Sequence, residues 1–285
     1  MHGSLGWSRQ SAPSAPSAEL ATLLSSRPYP ADVRLRCSTL KAIGRSPLHC
    51  MHAMLNPYEA TVPMRIGEGG HSLLFGGRTI VTFEGKVRRG AAWDKFKDEH
   101  ESDLILSESE TVTAHAIANA VRANPIAQRV LFQPGMVYED TINWDWQGKP
   151  FRCTPDARSH RHLVDLKTTR DAEPEKFLRD AVRMGYHAQL ALYGLAMEAT
   201  SGAKPRESYI VAVENKPPHA VTVLELTPRA IDQGERLCRT WLDRFLECER
   251  NNNWPGYAET IVPFDVLDGV MDELIFEDDE EAKEL

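Results

Sequence analysis

Cysteine is scarce in this 285-residue chain, and its five copies (Cys37, Cys50, Cys153, Cys238 and Cys248) are odd in number and widely scattered. That spacing excludes a dense disulfide framework and a tight thiolate cluster, and it implies reduced thiols in a cytoplasmic protein. Long apolar runs are missing as well: none approaches the roughly 20 residues that span a bilayer. No charged segment followed by a hydrophobic stretch opens the chain, so neither secretion nor a membrane partner is expected. There is no Gly-x-x-x-x-Gly-Lys-Ser/Thr loop, which excludes a P-loop ATP motor. Long internal repeats are also wanting.

A surplus of positive charge is lacking too, the formal net charge being −8. Its distribution matters more than its sum. Asp265 to Leu285 contains ten acids and one base, so the other 264 residues carry 32 bases against 31 acids. A near-neutral body can still present basic patches to phosphate groups. Arg88, Arg89, Arg158, Arg161 and Arg170 are candidates. The expected organisation is a Ser-Ala-Pro-rich linker-like segment over 1–30, one globular domain over 31–258, and an acidic, solubilising tail over 259–285.

Apolar periodicity and chain breakers predict helices near 39–44, 47–55, 67–75, 90–99, 109–123, 174–183 and 186–199. Strands are predicted near 79–83, through 137–168, and at 207–214 and 219–226. A long helix runs from Pro228 to about Glu249, with Ile231, Leu237, Trp241 and Phe245 as its core-facing stripe. This order implies an α/β fold with a central mixed sheet flanked by helices.

The segment Glu139 to Lys167 carries the chemistry. Side chains alternate along a strand, so Asp165 and Lys167 share one face while Val164 and Leu166 share the other. Upstream, Tyr138, Ile142, Trp144 and Trp146 alternate with Glu139, Thr141, Asn143 and Asp145. A hairpin turn at Gln147-Gly148 pairs Trp144 with Phe151, Asn143 with Arg152, Thr141 with Thr154, and Glu139 with Asp156. In this register apolar meets apolar and polar meets polar. Facing carboxylates repel and need a proton or cation between them. A second turn, around Ser159 to Arg161, returns Asp165 to the neighbourhood of Asp156. Such an oxygen-rich cluster suits Mg2+, with Mn2+ able to substitute. The arrangement fits metal-assisted cleavage of a phosphodiester, in which Lys167 orients the attacking water or stabilises charge on the phosphate.

Two further features stand nearby in the sequence. Gln189 and Tyr193 lie one helical turn apart and project from one face. Ser46 precedes Pro47 as an N-cap would, and Arg45 beside it is placed to meet a terminal phosphate.

The ordered set Glu139, Pro155-Asp156, Asp165-Leu166-Lys167 resembles the PD-(D/E)XK nuclease core. Tyr186-His-Ala-Gln189-Leu-Ala-Leu-Tyr193 is similar to the Gln-x-x-x-Tyr helix of its exonuclease branch. Gly67-Glu-Gly-Gly-His71 resembles the histidine motif of RecE-type and RecB-type domains. Together with Ser46-Pro47-Leu48-His49 and Trp93-Asp-Lys-Phe96, the order is closest to RecE-like, lambda-exonuclease-like enzymes of phages and prophages, over about residues 38–250. The resemblance implies that Asp156 and Asp165 are the principal metal ligands, with the Leu166 carbonyl adding another. It makes Lys167 the catalytic lysine, lets Glu139 bind a second metal directly or through water, and has His71 line the same site. Gln189 and Tyr193 would hold the strand near the scissile phosphate.

It further implies an ATP-independent, Mg2+-dependent exodeoxyribonuclease acting 5′ to 3′ on linear double-stranded DNA, leaving 3′ single strands for recombination. A homo-oligomeric ring, a single-strand annealing partner and the host cytoplasm as compartment come with the same resemblance. Two other readings remain open. One is a DNA-end-binding protein that does not cleave. The other is a RecB-like or CRISPR-associated nuclease, whose iron–sulfur cluster the scattered cysteines argue against.

Overall fold

The structure is a computed structural model that describes residue 29 and residues 33–56, 60–85, 87–258 and 260–263. Most of the expected N-terminal linker and the whole acidic run from Asp265 lie outside the described residues. All named elements belong to the unit that ends at Trp254.

The chain begins with α1 (Cys37–Arg45), α2 (Pro47–Leu55) and α3 (Val62–Phe75), then β1 (Ile80–Phe83), α4 (Ala91–Glu99) and β2 (Leu104–Ser107). Next come α5 (Glu108–Ala123), α6 (Pro125–Leu131), and the strands β3 (Val137–Tyr138), β4 (Ile142–Trp146), β5 (Lys149–Cys153), β6 (Ala157–Arg158) and β7 (His162–Thr169). The remainder is α7 (Pro174–Arg183), α8 (Tyr186–Ser201), β8 (Glu207–Glu214), β9 (Val221–Glu225) and α9 (Pro228–Asn251).

A five-stranded mixed sheet, in the order β3-β6-β7-β8-β9, forms the centre. Its only parallel pair, β7 with β8, needs a long crossover, and α7 and α8 supply it. β7 is therefore covered on both faces. Leu163 packs with Ile210 and Ala212 into a core shared with α1, α2, α8 and α9. Val164 and Leu166 point the other way, with Val211 and Val213, into a core shared with α3, α5 and α6. Each fully buried aliphatic side chain contributes about 1.5–3 kcal/mol of transfer free energy, which locks β7 against rotation.

The predicted hairpin register is observed. Asn143 faces Arg152 and Trp144 faces Phe151, and the Thr141 and Thr154 hydroxyls lie 2.9 Å apart. The same register continues into β3 and β6, where Tyr138 faces Ala157. One expectation fails. Tyr138 does not share a face with Ile142 and Trp144, but stacks on Phe75 at 5.5 Å in the opposite core. Glu139, with φ of 49°, breaks the alternation between them, and β4–β5 departs as a separate two-stranded sheet.

α3 starts at Val62, five residues before its expected beginning, and carries His71 in its interior. Its glycines let the helix press close to its neighbours. A Cβ at Gly69 would come within 2.9 Å of the Ala114 methyl, and one at Gly67 within 3.0 Å of the Thr168 hydroxyl. Close packing offsets the roughly 1 kcal/mol that glycine costs inside a helix. Two short elements, β2 and α6, were not expected. β2 is held by parallel pairing with β1, and α6 by the Asn124 side chain, which accepts from the Ile126 and Ala127 amides.

Candidate active site

β7 supplies Asp165 and Lys167 on one face, as its alternation requires. Asp165 is 1% exposed, and its Oδ2 lies 2.5 Å from the Lys167 ammonium. Its Oδ1 accepts a 2.9 Å hydrogen bond from the Gln189 amide, which also donates to the Tyr193 hydroxyl at 2.8 Å. The helix pair thus holds a strand acid. The turn after β6, closed by Ser159 N–H donating to the His162 carbonyl at 2.8 Å, brings Asp156 alongside. Asp156 Oδ2 accepts from the Leu166 amide at 2.6 Å, and its backbone carbonyl accepts from the Glu139 amide at 3.1 Å. Glu139 and Asp156 therefore stand opposite each other as expected. The left-handed backbone of Glu139 is uncommon for a non-glycine residue and costs of order 1–3 kcal/mol.

α3 brings the fourth group. His71 Nδ1 lies 3.3 Å from Asp156 Oδ1 and 3.7 Å from Glu139 Oε1, while Nε2 is 3.1 Å from the Leu166 carbonyl oxygen. Burial alone would lower the imidazole pKa, but the Asp156 charge and the hydrogen bonds to Asp156 and Glu139 raise it to about 10. With no metal bound, the protonated ring supplies the positive charge that facing carboxylates need; a divalent ion on the ring nitrogen would take the place of that proton. The acids respond unequally. Burial pushes Asp165 up to about 6, against the pull of Lys167. Asp156 is also penalised by burial, yet the nearby His71 charge and hydrogen bond hold it below the ordinary carboxylate value. Lys167 is raised despite burial, chiefly by Asp165 and then Asp156, and stays an ammonium ion.

The donor set fits a divalent metal. One imidazole nitrogen and two carboxylates, from His71, Glu139 and Asp156, lie mutually within 4.8 Å. The Leu166 carbonyl adjoins them. Asp165 Oδ2 is buried and accepts no well-directed hydrogen bond, leaving a lone pair available. Mostly hard oxygen donors with one imidazole suit Mg2+ or Mn2+.

The other expected residues divide. Ser46 is buried and caps α2, its hydroxyl accepting from the His49 amide and bonding the His49 ring at 2.6 Å. Arg45 is exposed at the end of α1. Arg158 forms an ion pair with Asp140, and Arg161 is exposed at the turn leading into β7.

A cleft of about 300 Å³ opens beside Gln189 and Tyr193, and Arg36, Lys41 and Arg152 line it. Among the described residues none of these three cations has an ion-pair partner. Lys41 loses basicity to burial, and Lys167 lowers it further. None of the three is among the phosphate-binding candidates of the sequence. Arg152 had a usable signal, since it alternates with Thr154 and Asp156 on one strand face. Arg36 and Lys41 had none, because α1 reaches the cleft only through tertiary packing.

The sequence profile of the PDDEXK-like domain of unknown function (DUF3799) matches residues 36–264. No curated protein matches the chain in sequence. Among solved structures, one described as a putative exonuclease from Eubacterium rectale is similar at 12% identity and a TM-score of 0.59, over 84% of this chain and 92% of that one. An alkaline exonuclease (LHK-Exo) from Laribacter hongkongensis aligns at 15% identity over 65% of this chain and 95% of its own, with a TM-score of only 0.30. The profile match spans most of the chain, and the acid–lysine strand, flanked by α3 and α8, lies inside it: the chain belongs to the PDDEXK-like family.

Proposed function

We propose that this protein is a divalent-metal-dependent exodeoxyribonuclease that hydrolyses phosphodiester bonds at the ends of linear double-stranded DNA. The observation that carries the reading is the convergence of His71, Glu139 and Asp156 beside the Asp165–Lys167 pair. The name of the Eubacterium rectale structure agrees with it.

His71, Glu139 and Asp156 would hold the metal, with Asp165 and the Leu166 carbonyl completing the set; Mg2+ is the proposed ion. A bound divalent ion supplies a more acidic water and offsets charge on the leaving oxygen. Asp165 fixes one side of the Lys167 ammonium, which donates to the phosphate as negative charge builds there. Gln189 keeps the buried Asp165 carboxylate in place through the hydrogen bond that the Tyr193 hydroxyl shares. Arg36, Lys41 and Arg152 draw the strand's phosphates into the cleft, because a cation without a carboxylate partner is free to neutralise a phosphate. Cleavage from the 5′ end, 3′ single strands for recombination, a homo-oligomeric ring and an annealing partner belong to the same proposal.

The test compares linear and closed-circular duplex DNA, labelled at either end, with Mg2+ and with a chelator. Release of 5′-terminal nucleotides from linear DNA, dependent on Mg2+, is expected. Cutting of closed circles would overturn the exonuclease reading, and 3′-end release would reverse the polarity.

A further inference from the structure

We propose that Tyr186 is the positioning residue for Lys167, holding its ammonium against the face of the phenol ring. The catalytic meaning of this contact rests on the nuclease reading above; the contact itself does not.

The Lys167 ammonium lies 4.8 Å from the centroid of the Tyr186 ring and 2.5 Å from Asp165 Oδ2. A lysine side chain has a flexible four-carbon stem, and a single carboxylate leaves it free to swing. The ring removes that freedom by attracting the cation from a second direction. Such attraction strengthens when the cation is desolvated, and the Lys167 side chain is only 19% exposed.

The ring is itself fixed. Gly185 adopts the left-handed conformation (φ 69°, ψ 30°) and starts α8, with its carbonyl accepting from the Gln189 backbone N–H. A residue with a Cβ adopts that conformation at a cost, so glycine here sets where Tyr186 enters the helix. Phe177 of α7 backs the phenol at 6.3 Å. Tyr186, Gln189 and Tyr193 follow at i, i+3 and i+7, one stripe of α8 laid along β7. The first meets the Lys167 ammonium, the second the Asp165 carboxylate, and the third braces the second. One helix face thereby orients both members of the acid–lysine pair.

The experiment varies the ring's electronics at constant shape. Tyr186→Phe keeps the ring and should cleave linear DNA within twofold of the natural rate. Tyr186→Leu, and replacement of Tyr186 by pentafluorophenylalanine, should each lower kcat about tenfold while KM and DNA affinity stay within twofold. A merely structural role predicts that the fluorinated ring behaves like Phe, and that result would overturn the proposal. So would full activity of Tyr186→Leu, or a Tyr186→Phe enzyme as slow as Tyr186→Leu. An independent readout is the NMR position of the Lys167 ε-methylene, assigned against Lys167→Arg in metal-free protein. Ring-current shielding should displace it upfield in the natural chain and in Tyr186→Phe, and not in Tyr186→Leu. Its absence from the natural chain refutes the contact whatever the activity. The upfield shift together with no DNA cleavage by the natural chain would sink the nuclease reading and the catalytic use of the ring, and leave the contact standing.

Discussion

Gln189→Leu separates two roles that an amide beside a metal site can have. Gln189 spends its N–H groups on Asp165 Oδ1 and on the Tyr193 hydroxyl, at 2.9 and 2.8 Å. Asp165 is 1% exposed, so water has little room to replace the lost donor. A hydrogen bond to a charged group contributes about 1.5–3 kcal/mol, and a buried acceptor deprived of it bears most of that loss. Leucine fits the space without donating. The variant should therefore be destabilised by about 2 kcal/mol, which for a domain of this size lowers Tm by about 4–8 °C. Metal-free, DNA-free thermal unfolding measures this directly. If the Asp165 carboxylate also drifts from its working position, kcat falls about thirtyfold, the rate equivalent of 2 kcal/mol. A residue that only grips DNA would instead raise KM and leave the unliganded Tm alone. Tm within 1 °C of the natural protein, combined with a KM effect, would refute the view that Gln189 acts on Asp165.

Three further outcomes are expected. Lys167→Ala should lower cleavage by at least a hundredfold while gel-shift binding of duplex DNA persists; an active variant would remove Lys167 from the chemistry. Asp156→Asn should weaken Mn2+ or Mg2+ binding about tenfold or more in calorimetric titration, and undiminished affinity would take Asp156 out of the ligand set. Away from the site, Glu110 is penalised by burial, but Arg65, Arg88 and the Ser107 amide together lower its pKa from 4.5. A folded-state pKa below the unfolded value stabilises the fold above about pH 4.5 and loses that contribution as pH falls through the folded value. Glu110→Gln should thus reduce stability at neutral pH and flatten the acid limb of Tm against pH, whereas an unchanged acid limb would show that this cluster does not set acid stability.

Much of the candidate site is legible in the sequence, and the reason is the backbone. Alternation along a strand is covalent geometry, so Asp165 and Lys167 had to share a face once β7 was a strand. A hairpin turn at Gln147-Gly148 then set every pairing back to Glu139 opposite Asp156, because a one-residue slip would have faced Trp144 with Arg152 or Pro150 in place of Phe151. The same logic failed at Tyr138, where the positive φ of Glu139 leaves the preceding side chain in the other core. Alternation counts residues, and it does not register a strained residue that resets the count.

The sequence by itself determined the acid–lysine strand, the facing Glu139 and Asp156, and the one-turn spacing of Gln189 and Tyr193. Those are relations among residues close in the chain, governed by strand and helix periods. Only the tertiary structure decided that α3 would carry His71 to the Leu166 carbonyl, 95 residues away, by pressing glycines into neighbouring side chains. It also decided that Arg36 and Lys41 of the first helix region would meet Arg152 in one cleft, and that the Tyr186 ring would cover Lys167. Contacts of that kind depend on how helices dock across a sheet and bury their apolar faces, and no local period encodes the docking.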